Sequence, residues 1–134
     1  ILTAMNRRYT KEQYLELAEK IRKEIPDMAI TTDIIVGFPG ETKEDVDETI
    51  DVIRRVKYDN AFTFIYSKRT GTPAAAMDDQ IDEAVVKDRF DRLLAAVNEI
   101  SHELSYRFEG QDMDVLVDCS LCYSPHKLMH KTLQ

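Results

Sequence analysis

Thr32-Asp33-Ile34-Ile35-Val36-Gly37-Phe38-Pro39-Gly40-Glu41-Thr42 decides the reading of this chain. A short apolar run rich in branched side chains stops at a Gly-x-Pro-Gly turn, and a helix start follows at once. This pattern predicts a buried parallel strand whose C-terminal end opens into a tight loop, where α/β sheets place their ligands. Asp33 stands inside the run, and a carboxylate there costs free energy unless something pairs with it. The segment therefore reads as both core and site.

The pattern extends outward in both directions. Upstream, Thr10 with Gln13 has capping-box spacing, and Tyr14, Leu17, Ala18, Ile21 and Ile25 form an apolar stripe that Pro26 ends. The strand itself is expected over Ala29–Val36. Downstream, Thr42 and Asp45 cap a second helix with Val46, Ile50, Ile53 and Val56 inward. A second strand follows over Ala61–Tyr66, with Phe62, Phe64 and Tyr66 on one face and Ala61, Thr63 and Ile65 on the other. Strand, helix and strand make a βαβ unit with an expected right-handed crossover. The turn over residues 67–76 opens on the same sheet edge as the Gly-x-Pro-Gly loop. A long third helix is expected over Asp82–Phe108, striped by Val86, Phe90, Leu93, Leu94, Val97, Ile100 and Leu104, with Gly110 ending it. Met113–Asp118 alternates weakly as a strand, and Cys119 onward has no period.

Bulk properties bound the class. The chain has 134 residues, 43% of them hydrophobic and 32% charged, enough for one modest soluble α/β domain or part of a larger one. Its net charge of −7 has the wrong sign for nucleic-acid binding through the whole surface. No apolar stretch approaches the roughly 20 residues of a membrane span, and only 2 cysteines occur, so a reducing cytoplasm is the default. The first residue is Ile1 rather than Met, which fits an excised piece. One βαβ unit with three helices has too few strands to cover its own sheet. Either further strands lie elsewhere, or the exposed strand edges pair by self-association. The tail motif Cys119-x2-Cys122-x3-His126-x3-His130 has too short a gap between ligand pairs for a zinc module, and no metal ligand is assigned.

Three segments together resemble the radical S-adenosylmethionine methylthiotransferases: Met5-Asn6-Arg7-Arg8-Tyr9-Thr10, the Thr32–Thr42 run, and Phe62-Thr63-Phe64-Ile65-Tyr66-Ser67-Lys68-Arg69-Thr70-Gly71-Thr72-Pro73-Ala74. The Phe-Thr-Phe-Ile-Tyr-Ser form is most similar to the MiaB-type tRNA enzymes. The resemblance implies a fragment of a partial (β/α) TIM-like barrel, with residues 1–108 as the C-terminal half of the radical domain and 109–134 as the start of an incomplete, irregular TRAM-like segment. It implies an enzyme that adds a methylthio group to C2 of isopentenyladenosine beside the tRNA anticodon, using S-adenosylmethionine and two 4Fe–4S clusters. Three thiolates are needed for such a cluster, and two terminal cysteines cannot supply them, so this chain alone is expected to be inactive and to bind neither cofactor nor cluster.

The resemblance also assigns residues. Asp33 matches an acid that bonds the cofactor ribose, against the plain alternative of a capping or arginine-paired carboxylate. Ile35 matches a residue packed on adenine, which a core isoleucine would equally be. Gly37 belongs to a glycine element that is only partly met, since the acid falls one place late at Glu41. Tyr66 and Ser67 resemble a segment offering backbone groups to adenine, and a structural tyrosine and turn serine are the bland equivalents. Lys68 and Arg69 are expected to meet phosphates of the tRNA or the cofactor carboxylate, or else to be solvated loop charges. No catalytic residue is assigned. Two other classes fit the same residues: a non-catalytic α/β interaction or assembly module, and another radical enzyme sharing this barrel half.

Overall fold

The computed structural model describes residues 1–114, and its architecture is α/β as expected. The elements are α1 (Lys11–Glu24), β1 (Thr31–Val36), α2 (Lys43–Val56), β2 (Asn60–Ile65), a 3₁₀ turn (Pro73–Ala76), α3 (Glu83–Ser105) and a closing 3₁₀ turn (Tyr106–Phe108). β1 and β2 pair in parallel, with Asp33 opposite Phe62 and Ile35 opposite Phe64. The βαβ unit read from the sequence is therefore present. The strand expected over Met113–Asp118 falls mainly outside the described residues, as do Cys119, Cys122, His126 and His130.

Local chemistry sets the helix starts. Thr10 caps α1 and Thr42 caps α2, each in a complete capping box with Gln13 and Asp45 respectively. The Thr42 N–H holds the Asp45 carboxyl below the usual aspartate range, and a negative charge there also suits the positive end of the helix. α2 closes on Lys57 in a left-handed conformation, at φ 53°.

The three helices pack on one face of the sheet. Val46, Ile50, Ile53 and Val56 of α2, with Leu93, Ala96 and Ile100 of α3, meet Leu15 and Ala18 of α1 and Val36 of β1. Tyr58 is buried at the same junction and donates a 2.9 Å hydrogen bond to the Tyr14 hydroxyl. Burial and that partner push its phenol well above the ordinary value.

Two features differ from the sequence reading. The inner face of α1 carries Leu15 rather than Leu17, which is exposed, and Ile25 lies outside the helix and is half exposed. Leu15 stands about 60° round the helix from Ala18 and Leu17 about 100° on the other side, so packing against α2 selects Leu15. β1 is also not a strand buried on both faces. Thr32, Ile34 and Val36 point toward the helices, while Asp33 and Ile35 are exposed.

Charge organises the lower end of the sheet. The Asp59 carboxylate accepts from the Ile30 N–H at 2.9 Å and from Arg22 at 3.1 Å, and it also pairs with Arg107. Arg22 further donates to the carbonyls of Met28 and Lys57, each at 2.8 Å. The last turn of α1 is thereby fixed beside the start of β1. α1 runs back along the sheet, with its N-terminus toward the C-terminal strand ends.

Candidate functional site

The C-terminal ends of the two strands meet at one point. The Tyr66 N–H donates to the Val36 carbonyl at 2.8 Å, which extends the ladder one residue past β2. Gly37 follows Val36 at φ +81°, and a Cβ there would stand 2.8 Å from Cγ1 of Val86 in α3. Only glycine permits both that conformation and that approach. Gly40, at φ +75°, donates its N–H to the Asp79 carbonyl at 3.0 Å.

Glu41 ties this loop to α3. Its carboxylate is buried, and both oxygens accept from the Gly37 N–H at 3.1 Å. Arg89 donates to the Glu41 backbone carbonyl at 2.7 Å and to Oε1 at 3.1 Å. Burial pushes the Glu41 carboxyl above the usual glutamate range, against the opposing pull of the Gly37 N–H and the Arg89 guanidinium. Sequence reading noted Glu41 only as an acid one place late. The usable signal was its four-residue spacing from Gly37, which lets one side chain close the turn. Nothing local in the sequence pointed to Arg89.

The other site residues divide into three levels. Asp33 and Ile35 lie on the sheet face that the helices leave bare, beside Phe62 and Phe64, all four exposed. The Asp33 carboxylate enters no ion pair among the described residues. One level higher are Gly37, whose N–H is committed to Glu41, and Tyr66. The Tyr66 ring meets Phe38 edge-on, at 5.4 Å between centroids and 67° between planes. The Tyr66 hydroxyl is buried with no hydrogen-bond partner among the described residues.

Beyond the strand come Ser67, Lys68 and Arg69, all exposed. Lys68 borders a hollow of about 520 Å³ with Gly71, Pro73 and Ala76 on its walls. Asp33 does not line that hollow. Its level on the sheet is that of Phe62, five residues before Ser67, a separation of roughly 16 Å along the strand. The structure thus brings Ile35, Gly37 and Tyr66 to the strand ends, with Asp33 below them and the loop cations above.

Among the described residues, no three His, Cys, Asp or Glu side chains gather closely enough to hold a metal ion. No helix among them is long and apolar enough to cross a membrane.

Known proteins share much of this sequence. Residues 1–53 match the model of the radical SAM superfamily. The tRNA-2-methylthio-N(6)-dimethylallyladenosine synthase of Acetivibrio thermocellus is 58% identical over 118 residues, covering 88% of this chain and 25% of the synthase. The synthases of Alkaliphilus oremlandii and Clostridioides difficile are 52% and 51% identical over all 134 residues, each covered over 28% of its length. The chain thus spans about a quarter of the length of these relatives. With a superfamily match and more than half of the aligned residues identical to these synthases, the chain belongs to the radical S-adenosylmethionine methylthiotransferase family.

Proposed function

We propose that this chain is the part of a tRNA-modifying methylthiotransferase that holds the nucleoside of S-adenosylmethionine. The observation that carries the reading is the bare face of the β1–β2 pair. It presents an exposed carboxylate, Asp33, next to an apolar surface of Ile35, Phe62 and Phe64. An ionised carboxylate only accepts hydrogen bonds, so two ribose hydroxyls are fitting donors. A flat purine suits the apolar side chains beside it. The residues present therefore fit the adenosine part of the cofactor. They do not fit an iron–sulfur cluster, because the described residues include no cysteine.

In the intact protein, S-adenosylmethionine supplies both the radical and the methyl group. Two 4Fe–4S clusters bound by other segments complete that chemistry, and the product is a methylthio group on C2 of isopentenyladenosine in tRNA. The contribution of this chain is orientation rather than proton transfer: Asp33, Ile35 and the strand ends at Gly37 and Tyr66 fix the nucleoside. Ser67 extends the Tyr66 segment, and Lys68 and Arg69 stand where a tRNA phosphate can approach the rim. The enzyme works in the cytoplasm, where its tRNA substrate is.

Asp33→Ala in the full-length protein tests the reading. Affinity for S-adenosylhomocysteine should fall about tenfold, the order expected when charge-assisted hydrogen bonds are lost, with iron content unchanged. Unaltered affinity would remove Asp33 from the site.

A further inference from the structure

We infer that Glu41 and Arg89 form a positioning pair that sets the cofactor-facing end of β1. The inference rests on the nucleoside reading above and adds two residues which that reading does not use.

Three observations support it. First, both Glu41 oxygens converge on a single donor, the N–H of Gly37, at 3.1 Å each. Gly37 is the first residue past β1, two residues from Ile35, and the preceding carbonyl (Val36) takes the Tyr66 N–H. Moving that one N–H therefore moves both strand ends. Second, Arg89 grips Glu41 twice, at the backbone carbonyl and at Oε1. Both bonds leave one nitrogen, Nη1, so a single charged donor ties the Glu41 carboxylate to its own main chain and limits how the side chain can turn. Third, contact between the loop and α3 is already supplied elsewhere. Val86 packs onto Gly37, and Gly40 bonds the Asp79 carbonyl just before α3. A buried ion pair is a poor way to add stability, because desolvation offsets most of its attraction. Its separate contribution is directional. Burial raises the Glu41 carboxyl even with both partners in place, so the pair is held against a real solvation cost.

The test uses the full-length, cluster-loaded protein and calorimetric binding of S-adenosylhomocysteine. Measurements are made well below each variant's unfolding temperature, so that a purely structural role leaves the dissociation constant untouched. Arg89→Met and Glu41→Gln should each raise it about three- to thirtyfold, the span of coupling between contacting residues. Arg89→Lys should recover part of the loss, since it restores a charged donor on a more flexible stem, without the planar guanidinium. If a single variant fails to fold, Glu41→Gln/Arg89→Met removes both buried charges together and should fold while still binding weakly. Folded variants that bind as tightly as the wild type overturn the inference and leave the nucleoside reading intact. A wild-type protein that binds no S-adenosylhomocysteine overturns both.

Discussion

Gly37 shows how much a single position constrains here. Its φ of +81° and the 2.8 Å approach of Val86 to a virtual Cβ exclude any side chain without rearrangement. Gly37→Ala should therefore cost about 1–3 kcal/mol in chemical denaturation, from backbone strain and overpacking together. An unchanged denaturation midpoint would mean that α3 yields freely. Glu41 makes a prediction of opposite sign to that of most carboxylates. Its folded-state value is raised, so its contribution to stability is full below the ordinary glutamate value of 4.5 and is lost as pH rises through the raised value. Wild type should gain stability relative to Glu41→Gln as pH falls through that window. Asp45 is lowered by the Thr42 N–H, so its contribution is present above 3.8 and lost on acidification. Parallel pH titrations of Glu41→Gln and Asp45→Asn against wild type, followed by fluorescence of a denaturant series, read the two signs directly.

At the scale of elements, stability begins in the caps. Thr42→Ala removes one arm of a complete capping box and should destabilise the fold by about 1 kcal/mol, visible as an earlier thermal loss of helical circular dichroism. Equal melting of variant and wild type would show that packing alone holds the start of α2. These caps were legible in the sequence because their partners are three residues apart. The inward stripe of α2 was legible for the same reason. The stripe of α1 was only partly so. Tyr14, Ala18 and Ile21 suit two neighbouring faces, and contact with α2 decided for Leu15. The Glu41–Arg89 pair was not legible, because its two residues lie 48 positions apart and meet only once α3 has docked. The candidate site follows the same division. The Gly-x-Pro-Gly turn and the Tyr66 strand end could be read locally, whereas the level of Asp33 on the sheet depended on strand register.

The molecule as a whole has a layered core on one side of the sheet and an exposed apolar face on the other. Phe62, Phe64 and Ile35 are each about half exposed, too much contiguous apolar surface to be a solvated exterior. In a partial barrel of the kind the sequence resembles, the face opposite the helices is the interior one. The isolated chain should consequently self-associate through this face and its free strand edges. Size-exclusion chromatography should find species larger than a monomer that Phe64→Glu disperses. A monomeric wild-type chain would show that the face tolerates water. Periodicity along one strand could not reveal this bare face, since exposure depends on what the neighbouring strands cover.

The most direct measurement is a crystal structure of the full-length protein with S-adenosylhomocysteine bound. The account predicts ribose hydroxyls on the Asp33 carboxylate and adenine against Ile35, above the Phe62–Phe64 surface. A nucleoside bound elsewhere, with Asp33 turned to bulk solvent or held by a protein cation, would contradict it.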